Sequence, residues 1–447
     1  MSTKEQLATY TMTLLPTWYP YLQLPSIAAE GTGMAETAQY VYQQFLDLGA
    51  VKAAIWTDCG GHPVVFAEFK GKTDKTVLFY NHYDVQPPAP LDEWDTAPFV
   101  PTIRDGKLFA RGVCDDKGEL MSRLTLIKYY NEHGGLPVNM KFIVEGEEEI
   151  GSPHVGAYVK AHAQELKADV CIWEGGGKNE EEKFQITCGM KGIVGFELSV
   201  ETASKDLHSA LACYADNAAW RLVQALSSLK GKDNTILVDG FYDDIRPLDE
   251  ALQEVVEAYH FDAAKVKANN GLYGPFVTKD PKQALLCGST LTINGISAGY
   301  EGPGSKTVIP KKAVAKLDCR LVPDQKPEKI VQLIQQQLLK NGYGDVHVTR
   351  GAGNEAVRSD ISDSFIQLCI HTAASVYGKD NIVVVPNMPG SGPGDQFVNV
   401  LHIPLVLVGI RYAGTNQHAP NENIRLADYQ DGTYYLYELL ENYSHAQ

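Results

Sequence analysis

Val77-Leu-Phe-Tyr-Asn-His82-Tyr-Asp84-Val-Gln-Pro87 opens as an apolar, β-branched and aromatic run and breaks abruptly into His-x-Asp ahead of two prolines. Such a run reads as a buried parallel strand whose C-terminal end carries polar chemistry. Active sites of open α/β sheets gather at that end. Three further segments share the form: residues 140–144 run into Glu145-Gly-Glu-Glu-Glu149, residues 170–173 into Glu174-Gly-Gly-Gly, and residues 404–408 lead through a short loop to His418. Ala110-Arg-Gly-Val-Cys-Asp115-Asp-Lys-Gly118 adds paired aspartates ahead of a helical pattern. Four strands are therefore expected to deliver carboxylates and imidazoles to one sheet edge. No lysine or arginine is evident among them, so their mutual repulsion calls for cations. The pattern points to a two-metal hydrolase.

The rest of the chain sets the frame for that edge. At 447 residues it exceeds what one hydrophobic core usually serves, and 44% apolar residues support two domains of unequal size. A formal net charge of -16 and a pI near 5.2 argue against nucleic acid or an anionic membrane as the main partner, and for small-molecule substrates. Eight scattered cysteines without a C-x-x-C pair read as reduced thiols. The N-terminus has no basic segment followed by an apolar core, and no later apolar run approaches membrane-spanning length, so a cytoplasmic protein is expected.

Along the chain, an amphipathic segment over residues 34–48 is closed by Gly49, strands are expected over 53–57 and 64–69, and the His82 strand follows. His62 lies in the intervening turn and reads as an exposed residue, not a ligand. Residues 118–130 form a helix with Leu120, Leu124 and Ile127 on one face, and residues 153–166 another between the strands at 140–144 and 170–173. This alternation implies an α/β domain with an open, mostly parallel sheet and helices on both faces. After Lys183 the pattern changes to strands (185–187, 194–201), a helix (217–229), a polar helical stretch (248–266), strands (289–293, 313–321) and a helix (327–340), which is an inserted α+β domain. A helix around 357–375, a strand at 382–385 and the tight loop Gly390-Ser-Gly-Pro-Gly394 return the chain to the first domain. The expected division is 1–187 with 356–447 for the catalytic domain and 188–355 for the insert.

His82-x-Asp84 suits a metal site because a ligating imidazole usually donates its other N–H to a carboxylate. Taken alone it is weak, since Asp84 also suits a turn before Pro87, and Asp115-Asp116 also suits a helix N-cap. Glu145-Gly-Glu-Glu-Glu149 carries more, because a solvated acidic run has little reason to follow a strand of core character. Adjacent glutamates can divide the work, one ligating metal and the other acting as base.

These residues arrive in a known order. Asn81-His-Tyr-Asp-Val-Gln-Pro-Pro, Trp94 with Ala97-Pro-Phe, Arg104-Asp-Gly-Lys-Leu, Arg111-Gly-Val-Cys-Asp-Asp-Lys-Gly, Glu145-Gly-Glu-Glu-Glu-Ile-Gly-Ser, Lys205-Asp-Leu-His-Ser, Lys306-Thr-Val-Ile-Pro and Arg320-Leu-Val-Pro resemble the aminoacylase / carboxypeptidase G family of dinuclear metallopeptidases. Within it the chain is most similar to the cytosolic nonspecific, carnosinase-like dipeptidases. The resemblance implies that Asp115 bridges two metals, that His82 and Glu174 complete one site, and that Glu149 and His418 complete the other. It makes Glu148 the general base and Asp84 the partner of His82. The implied cofactors are two divalent ions per subunit, zinc in the first place, with manganese or cobalt able to serve; one imidazole per metal with oxygen ligands suits each of them.

By the same resemblance the insert is a lid and dimerisation domain. His208 would reach across a homodimer to polarise the scissile carbonyl, and Thr307, Arg320 and Ser391 would hold the substrate's carboxyl end. Arg320 has a plainer reading as a surface residue paired with Asp324. One segment departs from the family: where cytosolic dipeptidases have His-Gly-Gly-Lys-Pro-Trp, this chain has Ala352-Gly-Asn-Glu-Ala-Val357. The implied activity is hydrolysis of dipeptides or short peptides with a free C-terminal carboxylate, through attack by a hydroxide bridging the two ions. The alternatives are an N-acyl amino-acid deacylase, a carboxypeptidase of the G type, or a non-catalytic metal-binding assembly protein.

Overall fold

The structure is a computed structural model and describes residues 2–446. The chain divides into two compact units. The first comprises the residues up to Gly189 together with Arg358–Pro386 and the residues from Gly392 onward; the second comprises Met190–Val357 and Asn387–Ser391.

The first unit is built on a mixed sheet. Its strands lie in the order Lys52–Trp56, Val64–Phe69, Asn139–Glu145, Thr76–His82, Val170–Trp173, Leu405–Leu407, Phe184–Thr187, Gly177–Lys178, Arg411–Tyr412, with Ile382–Val385 also pairing with Phe184–Thr187. Pairing is parallel through the centre, from Asn139–Glu145 across Thr76–His82 and Val170–Trp173 to Leu405–Leu407. It is antiparallel among the strands leading in from Lys52–Trp56. Strands 139–145 and 170–173 are buried at every position and 76–82 at every position but the first, as expected of parallel strands covered on both faces. Successive side chains alternate between the faces. Phe79 and Phe142 stack on one face, where Phe45 of helix Met34–Asp47 meets Phe142. Tyr80 and Trp173 stack on the other, beneath Phe397 of helix Gly394–Leu401. Helices thus cover both faces, and the C-terminal ends of the central strands bring His82, Glu145 and Trp173 to one edge.

The second unit holds a four-stranded antiparallel sheet in the order Thr292–Ala298, Lys312–Leu321, Gly192–Glu201, His347–Asn354. Gly192–Glu201 and Lys312–Leu321 alternate strictly between buried and less buried positions. A sheet with one face on a core has that signature. The core consists of residues such as Val194, Leu198 and Leu317 with Leu222 and Ile334 from helices Ala218–Leu229 and Pro327–Lys340. Strand His347–Asn354, which begins the segment departing from the family pattern, lies at one edge of this sheet.

Several elements differ from the sequence expectation. Phe184–Thr187, where the sequence pattern changes although the expected catalytic domain runs to 187, pairs in parallel with Ile382–Val385 in the large sheet. The single helix expected over 153–166 is two, Val155–Ala161 and Ala163–Leu166, broken at His162, whose ring stacks 3.8 Å from Trp56 and contacts Asp58. The stretch 248–266 is likewise two helices, Glu250–Ala258 and Ala263–Asn269, because Asp249 and Asp262 each cap a new start. The strand expected at 289–293 lies at Thr292–Ala298. None of the eight cysteines is in a disulfide, and among the described residues no helix is long and apolar enough to cross a membrane.

Candidate metal centre

His82 ends its strand fully buried, and the turns that follow the neighbouring strands close around it. Its Nε2 lies 3.0 Å from Asp115 Oδ1, while Nδ1 lies 3.0 Å from the Asp84 carbonyl and 3.3 Å from the Asp84 carboxylate. The Asp84 carboxylate also accepts the backbone N–H groups of Glu148 (3.2 Å) and Glu149 (2.9 Å). One buried carboxylate, that of Asp84, therefore ties the histidine to the acidic turn.

Asp115 is the centre of the cluster. Its Oδ1 faces His82, whereas its Oδ2 lies 3.0 Å from His418 Nε2. His418 in turn lies 3.2 Å from Glu149 Oε2, and Gln86 donates to that same oxygen at 2.9 Å. His418 holds a left-handed backbone (φ 60°), an uncommon conformation for a non-glycine residue and one that recurs at functional sites. The Asp115 loop is set from beneath by Glu422, which accepts the backbone N–H groups of Gly112 (2.9 Å), Cys114 (2.9 Å) and Asp115 (3.1 Å) and pairs with buried Arg111 at 2.7 Å. Asp116 caps the opposite side, accepting Asn81 Nδ2 (2.6 Å) and His82 N (3.1 Å) while its other oxygen is buried without a partner. It opens helix Lys117–Glu132 without making a side-chain cap.

Among the described residues three donor sets could hold an ion, each with its ligand atoms within 4.8 Å of one another: His82, Asp115 and Glu174; Asp115, Glu149 and His418; and His82, Glu148 and Glu149. Asp115 is shared by the first two, presenting one oxygen to each imidazole. One imidazole with oxygen donors at each position fits a pair of divalent ions such as zinc, manganese or cobalt.

The expectation that no basic residue neutralises these carboxylates is corrected by Arg411. Its guanidinium donates to Asp115 Oδ1 at 2.8 Å and also to Glu174. Gln417 Nε2 donates to Asp115 Oδ2 at 2.5 Å. Arg411, Gln417 and Glu422 escaped the sequence reading. The available signal for Arg411 was an arginine close behind the last strand of the edge; for Glu422 no local pattern exists.

The electrostatics follow from this crowding. Burial opposes ionisation of Asp115, but Arg411, His418 and His82 outweigh it and hold the carboxyl well below the usual range. Burial pushes Glu148 well above the ordinary carboxylate value, and Asp115, Glu174 and Glu149 add to the rise. A raised carboxyl beside fixed acceptors suits a group that takes and returns a proton. The hydrogen bonds to Asp115 and Glu149 lift His418 to about 10 against the opposing effect of burial.

The remaining expected site residues lie in the second unit, in two pairs. His208 is exposed, and its strand pairs with Val308–Ile309, so that Thr307 O accepts Ser209 N at 3.1 Å. His208 Nδ1 accepts Ala210 N at 3.1 Å, which leaves Nε2 to carry the proton of the neutral ring. Arg320 donates to Ser391 Oγ at 2.8 Å. It does not pair with Asp324, which instead takes both arms of Arg246. His62 is half-buried, not exposed, with its backbone N–H donated to Glu147 and its ring against the Ala28 carbonyl.

Comparison with known proteins adds a family. The model described as peptidase family M20/M25/M40 matches residues 78–442. The chain is 32% identical over 346 residues to the Cys-Gly metallodipeptidase dug1 of Schizosaccharomyces pombe, covering 71% of each chain. It is 30% identical over 394 residues to the Beta-Ala-His dipeptidase of Homo sapiens, covering 83% of this chain and 75% of that one. Among solved structures it is similar to the M20 family metallo-carboxypeptidase Sso-CP2 from Sulfolobus solfataricus, with 37% identity, a TM-score of 0.89 and full coverage of both chains.

Proposed function

The chain belongs to the M20/M25/M40 peptidase family, and from that premise we propose that this peptidase hydrolyses dipeptides and short peptides with a free C-terminal carboxylate. The observation that carries the reading is Asp115, whose two oxygens face two separate imidazoles, each backed by a further carboxylate. When bound there, a pair of divalent ions supplies an acidified water and polarises the scissile carbonyl. The protein's own groups do the rest. Glu148 takes the water's proton and returns it to the leaving amine, and Asp84 fixes the turn from which Glu148 works. Arg320, oriented by Ser391, presents a guanidinium fork suited to a terminal carboxylate, with Thr307 beside His208. The curated relatives named above as dipeptidases support this substrate class.

The similarity to Sso-CP2, a metallo-carboxypeptidase by its description, favours a second reading on the same residues, release of a C-terminal residue from longer or N-acylated substrates. A panel of dipeptides, tripeptides and N-acetyl amino acids, run with defined metal content, separates the two. Dipeptide turnover exceeding the other classes in kcat/KM by about tenfold or more supports the dipeptidase; preference for N-acylated substrates overturns it.

We further place the protein in the cytoplasm, in keeping with eight cysteines that form no disulfide, and propose a homodimer. Strand Thr292–Ala298 is an edge strand exposed at nearly every position, with Ile293 and Ile296 outward, and Trp220 and Val223 are exposed on helix Ala218–Leu229 of the same unit. An open edge flanked by apolar groups calls for a covering partner. In that dimer the Nε2–H of the partner subunit's His208 hydrogen-bonds to the developing oxyanion and keeps its proton. An aimed donor contributes on the order of 10²- to 10³-fold, so His208→Ala lowers kcat by about that factor with metal content unchanged. Mixing inactive His208→Ala with inactive Glu148→Gln subunits restores part of the activity, because one site in each heterodimer keeps both residues. No recovery in verified heterodimers sinks the contribution in trans.

A further inference from the structure

We propose that Arg411 is a resident counter-cation of the metal centre, making the position formed by His82, Asp115 and Glu174 the weaker of the two and the last to fill. The inference rests on the two-ion reading above. The guanidinium donates to Asp115 Oδ1 and to Glu174, which are two of the three donors of that position. The other position shares Asp115 through its Oδ2, and among the described residues Arg411 makes no hydrogen bond or ion pair with its remaining donors, Glu149 and His418. A divalent ion entering the first position must therefore share two carboxylates with a fixed positive charge or displace it, while an ion entering the second meets no such competitor.

The arginine is built into place. Its strand Arg411–Tyr412 pairs with Gly177–Lys178, and Arg411 N donates to Gly176 O at 3.0 Å. This close approach requires glycine at position 177, where a Cβ would fall 2.1 Å from Arg411 O and where φ is +135°. The side chain is 16% exposed, and its Nε is buried without a hydrogen-bond partner. A surface arm would leave that N–H in water. Here its desolvation is offset by the two carboxylates at the other end of the guanidinium. Since arginine stays protonated at any working pH, the competition is independent of pH on the arginine side.

The other polar groups of the cluster do not share this role. Arg123 is spent on the carbonyls of Tyr80 and Trp173 and on Asn81 Oδ1, and Lys117 on the carbonyls of Tyr21 and Leu24. Gln417, which touches the second position, is neutral and can turn its oxygen toward an ion.

The test measures stepwise zinc binding to chelator-stripped protein by calorimetry and elemental analysis, in the wild type, Arg411→Met and Arg411→Lys. The same substitutions in a His418→Ala background isolate the position that Arg411 contacts. The wild type is expected to bind two equivalents with clearly separated constants. Arg411→Met should tighten the weaker one on the order of 10- to 100-fold, the range by which groups around a metal's ligands usually act, and lower the Tm of the stripped protein. Arg411→Lys, which keeps the charge on a shorter side chain than the one whose Nη2 meets both carboxylates, should fall between, and it carries the test should the methionine variant not fold. Unchanged or weaker zinc binding in folded variants overturns the inference, as do two equal constants in the wild type. A wild type that binds no zinc, manganese or cobalt overturns the two-ion reading itself and the role of Arg411 with it.

Discussion

Glu148→Gln is expected to keep both metals and lose on the order of 10²- to 10⁴-fold in kcat, the usual contribution of a positioned acid–base group. Glu148 and Glu149 are adjacent, yet their surroundings separate their tasks. Glu149 Oε2 lies 3.2 Å from His418 and accepts Gln86, so it is committed to the donor set. Glu148 carries the raised carboxyl, because it is buried among Asp115, Glu174 and Glu149. The amide is nearly isosteric with the acid, and the backbone N–H groups of both residues remain held by Asp84. Metal content by elemental analysis and turnover of a dipeptide decide the matter together. Retained activity removes Glu148 from proton transfer. Loss of metal together with activity would instead make it a ligand, which its membership of a third donor set with His82 and Glu149 allows as a distinct outcome.

The edge of the sheet was legible because its evidence is local. Each central strand is a short apolar run, and its chemistry follows within a few residues, so His82, Glu148, Glu149 and Glu174 could be placed at a strand's C-terminal end by inspection. The alternation of buried and exposed positions likewise marks Gly192–Glu201 and Lys312–Leu321 as strands facing one core. What escaped depends on contacts distant in sequence. Arg411 reaches Glu174 only because a two-residue strand pairs with Gly177–Lys178, and neither segment has a periodic signal. Glu422 reads Asp115 through backbone N–H groups more than 300 residues away, which no spacing can reveal. The pairing of Phe184–Thr187 was hidden for a related reason, since its partner Ile382–Val385 lies on the far side of the insert.

Two charges of opposite sign now meet at Asp115, and this shapes how the centre is held. The buried carboxylates around it are satisfied by backbone as much as by cations: Glu422 by three N–H groups of the loop, Asp116 by His82 N, Glu119 by Ile410 N. Such bonds fix the ligand-bearing segments before any ion arrives, which lowers the ordering cost of binding. Arg411 supplies the one direct basic contact that Asp115 has among the described residues besides its histidines.

Asp115→Ala is expected to empty both metal positions. Its Oδ1 belongs with His82 and Glu174 and its Oδ2 with His418 and Glu149, so a single truncation takes a donor from each set and leaves only two apiece. Two monodentate donors fall short of what structural or catalytic sites for these ions normally use. Glu174 would then keep Arg411 as its facing group, and Glu149 would keep His418 and Gln86. Because ions that bind only the folded state stabilise it by mass action, the wild type should lose several degrees of Tm when treated with a chelator, whereas the variant should start lower and show no further response. Asp115→Asn keeps the shape but only one ligating oxygen and no charge, and should bind metal weakly. Elemental analysis after gel filtration reads the outcome directly. Two equivalents retained by the alanine variant would rule out a shared ligand. One equivalent retained would assign Asp115 to a single ion, and the vulnerable position would be identified by combining the variant with His418→Ala: metal lost in the double variant belongs to the Glu149 and His418 set, and metal kept belongs to His82 and Glu174.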